Sequence, residues 1–319
     1  MDLDLRLVRY FVVVADELHF GRAAARLHIS QPALSKQMRR LEDELGFRLL
    51  ARDSRHVALT PDGARFLREA RVLIAHATRM TQVGGAGIRI AHIFDLDTSR
   101  LVLDAFADRF PGVAVIASSM DSRRQFDALM NGLLDIAILR LTPEMVHAHP
   151  LGWRHRPMRL EPLVLVGRSG DPVSDTVSLY ERPVEVFADP RGSALFNAQG
   201  EYLTAFEASA GLGLHWLGNP GTFDQCLSRM LRAPAGAYLL EFESYALRYR
   251  GIGMPVHRPA EVQPVYPWSI AWRDEPLAPA TAGFIEVAAE VAAQRGWLTP
   301  DARAPLWQPP AGESVNALR

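Results

Sequence analysis

Leu3, Leu7, Phe11 and Val14 recur at three- and four-residue intervals, so the chain opens with an amphipathic helix. The alanine-rich run GRAAARL, residues 21–27, predicts a second, short helix whose small side chains permit close packing, and HIS (28–30) breaks it. A third helix follows. Ser30 can cap it, Pro32 fits in a first turn whose N–H groups have no intrahelical partner, and Gly46 is placed to stop it. Leu34, Met38, Leu41 and Leu45 form its apolar stripe. Gln31, Ser35 and Arg39 stand four apart on another face, with Arg40 and Lys36, the chain's single lysine, beside them. The next run, FRLLARDSRHVALTPDG (47–63), reads as two short strands around a basic turn, with Arg52 and Arg55 near its tip.

From Asp62 to about Val83 a longer helix is expected, with Phe66, Ala70, Leu73, Ala77 and Met80 alternating spacings of four and three in the manner of a coiled-coil seam. Such a stripe either packs on its own domain or pairs with a second copy. Pairing is favoured, because the stripe continues past a complete wing with nothing nearby in the sequence to cover it. The glycine cluster GGAG (84–87) ends the helix; it precedes a strand rather than following one, which argues against a nucleotide-binding loop. Beyond it strands and helices alternate. IRIAHI, VAVIAS and LDIAIL read as strands, with helices at 101–110 and 122–132 between them. After LVLVG (163–167) a second α/β segment carries strands at VEVFA, LGLHWL and AYLLEF, and SIAWR (269–273) leads into a helix at 280–295. The expected fold is therefore α/β after an N-terminal winged helix-turn-helix (1–61) and a linker helix with hinge (62–87). A body at 88–299 divides into subdomains at 88–164 with 269–299 and at 165–268, with a cleft between them. From Pro300 the Pro- and Ala-rich tail is expected to be loose.

Composition narrows the chemistry. No apolar run in the 319 residues approaches the ~18–20 needed to cross a bilayer, and the acidic, amphipathic start does not resemble a signal peptide. One cysteine, Cys226, precludes an intrachain disulfide and suits a reducing cytoplasm. Without a resolving cysteine it reads as a small packed residue. The net charge of −1 conceals a contrast: residues 1–83 carry 14 Lys and Arg against 10 Asp and Glu, and the remainder 21 against 26. A basic head on an acidic body points to a polyanion partner. Short polar residues near the start of a helix and cations farther along are what the DNA major groove requires, and an arginine-tipped wing suits the narrow minor groove. His147, His149 and His155 lack thiolates or a matched carboxylate and read as surface histidines. With no G-x-S-x-G, H-E-x-x-H or P-loop pattern, neither catalysis nor a cofactor is expected.

The order AA-LH-SQPALS-Q---LE-ELG--L--R--R-V-LT--G, carried between about Leu7 and Phe66, resembles the LysR-type transcriptional regulators. The resemblance implies that Gln31, Pro32, Ser35 and Lys36 face bases or the adjoining backbone, and Arg39, on the same face by its spacing, is expected to contact DNA with them. Arg52 and Arg55 would serve the wing, and His19 with Phe20 would approach phosphates. It implies a linker helix that pairs subunits, so that a homodimer or homotetramer meets an inverted-repeat operator on double-stranded DNA, and RNA polymerase as a further partner. The body is similar to the family's periplasmic-binding-protein-like effector domain through FADRFPGV, ALMNGLLDIAI and EPLVLVG. RAPAGAYLLEF departs from the family's glycine-rich segment there. Effector contacts are expected at strand ends and helix starts: Asp95, Thr98 and Ser99, then Ser122 and Gln125, then Arg140, Phe196 and Thr222. Asp95 and Asp97 stand where the family often presents Ser or Thr, which favours a cationic or neutral, hydroxyl-rich effector over a carboxylate. Two other readings remain open: a DNA-binding protein that needs no effector, and a small-molecule-binding protein whose DNA-binding head is vestigial.

Overall fold

In a computed structural model, residues 3–27, 29–52, 57–81, 87–93, 97–193, 195–220, 222–232 and 236–309 are described. They form two compact units, one among the residues before 86 and one among most of those after.

The first unit holds α1 (Leu5–Glu17), α2 (Phe20–Arg26), α3 (Gln31–Leu45), the antiparallel pair β1 (Leu50–Arg52) and β2 (Val57–Leu59), and α4 (Pro61–Thr81). The predicted caps are present: Ser30 Oγ accepts from the Ala33 N–H, and Gly46 ends α3 in the left-handed region at φ 78°. Leu7, Phe11 and Val14 of α1 meet Ala23, Ala24, Leu34, Met38 and Leu41 in one core. The linker helix departs from expectation here. Ala70 is buried in that same core, and Phe66 packs against Phe11 (ring centroids 5.4 Å) and Phe47 (6.4 Å). Arg71 pairs with Asp16 of α1 at 2.7 Å. The apolar face of α1 thus covers the first turns of the stripe, which the spacing within 62–83 alone did not reveal. Leu73 remains exposed and Ala77 half-buried, while the side chain of Met80 lies outside the described residues.

The second unit runs β3 (Gly87–His92), α5 (Asp97–Arg109), β4 (Ala114–Ser119), α6 (Ser122–Met130), β5 (Ile136–Leu139), α7 (Pro143–Ala148) and β6 (Trp153–Val166). It continues with β7 (Thr176–Val177), β8 (Val184–Val186), α8 (Ala198–Ala210), β9 (Leu214–Trp216), α9 (Phe223–Arg232) and β10 (Tyr238–Phe242). The last elements are α10 (Glu243–Gly251), β11 (Val256–Pro259), β12 (Gln263–Arg273), α11 (Pro279–Gln294) and β13 (Leu306–Trp307). The sheet order is β4-β3-β5-β12-β6-β10-β8-β9. Strands β4, β3 and β5 are parallel on one side, and β10, β8 and β9 on the other. Between them β12 and β6 run antiparallel from Val265–Pro162 to Arg273–Trp153. These two long strands are the crossings between the halves. β12 is buried along most of its length and β6 from Glu161 to Val166, where it reads as the apolar run PLVLV, whereas the first half of β6, WRHRP, is polar and more open.

The tail is not loose where it is described. Through residue 309 it is held: β13 pairs with Gln263 and Pro264 of β12, Arg303 meets Asp175 at 2.7 Å, and Trp307 packs on Tyr202 (5.2 Å) and Phe206 (5.0 Å) of α8. Trp307 Nε1 donates to Ser209 Oγ at 2.9 Å. Residues 310–319 lie outside the described residues. Two tryptophan contacts and a backbone pairing outweigh the proline content. Because Trp307 is only half-buried, Trp307→Ala should destabilise the second unit by about 1–2 kcal/mol, less than a fully buried tryptophan. A urea midpoint unchanged by the substitution would show that this segment contributes nothing to the fold.

Candidate nucleic-acid interface and effector cleft

The cap at Ser30 and the core face of Leu34, Met38 and Leu41 fix the orientation of α3. Gln31, Pro32, Lys36 and Arg39 are therefore exposed and Ser35 half-buried on its other side. Arg40 pairs with Glu44 one turn on at 2.7 Å, whereas neither Lys36 nor Arg39 has an ion pair among those identified. At the start of α2, His19 Nδ1 accepts from the Gly21 and Arg22 N–H groups (3.1 and 3.2 Å), which places the proton of a neutral ring on Nε2. His19 is exposed, but its expected companion is not: Phe20 is 9% exposed and belongs to the core, because the ring after the cap turns inward with Ala23 and Ala24. Of the wing arginines, Arg52 ends β1 with its side chain outside the described residues, and Arg55 lies outside them entirely.

Glu42, a residue that sequence reasoning passed over, ties the wing to α3. Its carboxylate is 3% exposed, accepts from the Leu49 and Leu50 N–H groups (3.0 and 3.1 Å), and meets Arg48 at 3.1 Å. Thr60 completes the junction. Its Oγ1 donates to the Arg48 carbonyl at 2.7 Å and accepts from the Gly63 N–H at 2.8 Å, while its own N–H donates to the Leu49 carbonyl at 3.0 Å. Reading helix, wing and α4 are thus joined through one polar cluster around residues 48–50.

In the second unit the halves face each other across two adjoining cavities. The inner one, about 200 Å³, is lined by Ser119, Asp121, Ser122, Asn197, Gln199 and Asn219 against Phe242, Tyr266 and Trp268. An outer one, about 430 Å³, shares Asp121, Asn197, Ala198 and Asn219 with it and adds Phe196, Arg123, Arg124, Glu144, Asp189 and Glu201. Of the expected contacts, Ser122 reaches the inner cavity and Phe196 the outer. The remainder are engaged elsewhere or not described. Thr98 Oγ1 and the Asp97 carboxylate accept from Arg159 at 2.7 and 2.6 Å, and Ser99 Oγ lies 3.2 Å from His92 Nδ1. Gln125 is fully buried and donates to the Met120 carbonyl at 2.9 Å. Thr222 is exposed and caps α9, accepting from the Gln225 N–H at 3.3 Å. Asp95 lies outside the described residues.

Arg140 is 2% exposed and does not offer itself to an anion. It donates to the Ala198 carbonyl at 2.8 Å and to Glu201 Oε1 at 3.3 Å, which ties the end of β5 to the start of α8 across the two halves. The pairing of Asp97 with Arg159 also weakens the expectation that it would repel a carboxylate, since its charge is already balanced. The sequence missed the aromatic floor and the amides because β12 and α8 lie far from β4 along the chain.

Behind that floor sits a carboxylate network. Glu161 on β6 accepts from Trp268 Nε1 at 2.6 Å and from Ser244 at the start of α10, with Arg159 at 3.4 Å. Burial pushes its carboxyl up, against the pull of Arg159. Glu241 on β10 is pushed up to about 7, chiefly by burial and further by Glu161, although it accepts from the Phe242 N–H. Cys226 is 5% exposed among Phe187, Met230 and Tyr249, and burial raises its thiol, as a packed residue requires.

Comparison with known proteins agrees with both units. Residues 5–64 match the bacterial regulatory helix-turn-helix protein, lysR family, and residues 87–184 match the LysR substrate binding domain. The chain is 39% identical over 212 residues to the HTH-type transcriptional regulator YnfL of Escherichia coli K12, covering 62% of this chain and 70% of that one. It is 34% identical over 154 residues to the HTH-type transcriptional regulator AlsR of Bacillus subtilis 168, where the match spans 46% of this chain and 50% of the relative. Among solved structures, CbnR, a LysR family transcriptional regulator, is similar with a TM-score of 0.64 at 25% identity, covering 91% of this chain and 99% of that one. Full-length CbnR complexed with its target DNA matches at the same TM-score with 26% identity, covering 90% and 99%. A capped reading helix with its wing, followed by a two-halved α/β body around a cleft, places this chain in the LysR family of DNA-binding transcriptional regulators.

Proposed function

We propose that two copies of the chain present their α3 helices to two half-sites of an inverted-repeat operator, in the cytoplasm, as a regulator rather than an enzyme. The observation that carries this reading is the division of α3: Leu34, Met38 and Leu41 are buried while Gln31, Lys36 and Arg39 stand exposed, with no ion pair to them among the described residues. Gln31 and Ser35 are assigned to base edges, Pro32 to the adjoining backbone, Lys36 to guanine or phosphate, and Arg39 to phosphate. His19 would donate through Nε2 to a phosphate, and Arg52 and Arg55 would serve the minor groove. Pairing of copies rests on the second half of α4, where Leu73 is open, and not on Phe66 or Ala70. A dimer or tetramer, and contact with RNA polymerase, belong to the same reading. A small molecule held between the halves of the body shifts operator engagement only if it prefers one assembly geometry over another.

Two substitutions test the assignment. Ser35→Ala should cost about 1–3 kcal/mol on operator DNA and little on random DNA, while Arg39→Ala should weaken both and lower the salt slope by about one. Titrations of both DNAs at several salt concentrations measure this. Equal loss from Ser35→Ala on every sequence, with folding unchanged, would reject base reading by α3.

A further inference from the structure

We propose that the cleft takes an uncharged, hydroxyl-bearing ring compound, of the size of a sugar or nucleoside, stacked on Phe242, Tyr266 and Trp268. The proposal rests on the effector-cleft reading above and names its ligand. The rings of Tyr266 and Trp268 lie 4.7 Å apart, and Phe242 stands 5.1 Å from Tyr266 at 86°, so the floor is a continuous apolar wall. Such a wall accepts the C–H face of a ring and rejects a hydrated ion.

The opposite side is polar, and among the described residues it carries no unpaired charge. Asn197 Oδ1 is engaged by the Gln199 and Gly200 N–H groups, which leaves its amide hydrogens as donors. Ser122 Oγ accepts from the Arg140 N–H and keeps its own hydroxyl hydrogen. Gln199 and Asn219 each offer a donor and an acceptor, and that mixed set matches hydroxyls, which both give and take hydrogen bonds. Among the described residues Asp121 is the one ionic side chain on the inner wall, and it is already balanced: Oδ1 accepts from the Arg124 N–H at 3.0 Å and Oδ2 lies 3.4 Å from Arg124 Nε. No cation lines the inner cavity among the described residues. Outside it, Arg123 is paired with Glu144 at 2.6 Å, and Arg140 is held by Glu201. A carboxylate or phosphate entering would be stripped of water without gaining a counter-charge. The inner volume of about 200 Å³ holds one ring, and the outer cavity takes its substituents.

The test is ligand binding to the full chain, followed by calorimetry and by tryptophan fluorescence. Adenosine, uridine and methyl glucoside are compared with adenosine 5′-monophosphate, uridine 5′-monophosphate and glucuronate, and with the cationic glucosamine. At least one neutral probe should bind saturably and at least tenfold more tightly than its charged counterpart. Gln199→Leu and Asn219→Ala, both on accessible side chains, should each weaken that binding about tenfold at an unchanged unfolding midpoint. Tighter binding of an anionic or cationic probe that is still lost in the two variants overturns the neutral-ligand proposal and leaves the cleft reading standing. Neutral binding that neither variant alters puts the ligand elsewhere and removes both. Failure of every neutral probe to bind overturns the proposal.

Discussion

Replacing Gly63 with alanine should collapse the DNA-binding unit. An added Cβ would sit 1.9 Å from the Leu49 carbonyl oxygen and 2.8 Å from its carbon, and these are backbone atoms that no rotamer change can clear. Nor can Leu49 retreat, because its carbonyl accepts the Thr60 N–H, its own N–H is held by Glu42, and the next residue opens the Leu50–Leu59 register of the wing. Relief requires α4 to lift from the wing, which also strips Phe66 and Ala70 from the core. The cost should reach about 3 kcal/mol or more, at the upper end for overpacking. Gly46→Ala is the control. It meets nothing within 4 Å and suffers only its left-handed backbone at φ +78°, so about 1 kcal/mol is expected. Hydrogen exchange on the full chain separates the outcomes: Gly63→Ala should lose amide protection in α1–α4 while β6 and β12 keep theirs. Wild-type protection in α1–α4 would contradict the packing described.

Glu241→Gln should stabilise the second unit at pH 8 and leave it nearly unchanged at pH 4. The carboxyl is held at about 7 in the folded chain against 4.5 when exposed, because burial and the neighbouring Glu161 disfavour its charge. Between these values the unfolded chain gives up the proton and the folded chain keeps it. The unfolded state therefore binds fewer protons, and stability falls as pH rises through the window and levels off above it. A shift of this size corresponds to about 3 kcal/mol, and glutamine removes the titration. Urea midpoints at pH 4 and pH 8 should show a variant-minus-wild-type gap that opens with pH. A constant gap would mean that Glu241 titrates normally.

The head was legible because its signals are local. Caps at Ser30 and Gly46, the stripe through Leu34, Met38 and Leu41, and the wing strands all lie within one turn or one hairpin of the residues that define them. Misreadings arose where a distant element decided the outcome. Phe66 and Ala70 carry a seam-like spacing, yet α1, fifty residues earlier, covers them. Phe20 follows an exposed cap and turns inward. In the body the alternation of strands and helices was readable, but the cleft wall was not: Thr98 meets Arg159, sixty-one residues on, and Arg140 is claimed by Glu201, at the same separation. Polar residues at strand ends are chosen by partners across the fold, and no spacing rule announces them.

The central claim, that α3 reads a defined DNA sequence, is tested most directly by capturing genomic fragments with the purified full chain at near-physiological salt and footprinting what is bound. One protected inverted repeat, lost in the Gln31→Ala/Ser35→Ala double variant, is the expected result. Diffuse binding that salt abolishes and the double variant does not alter would contradict it.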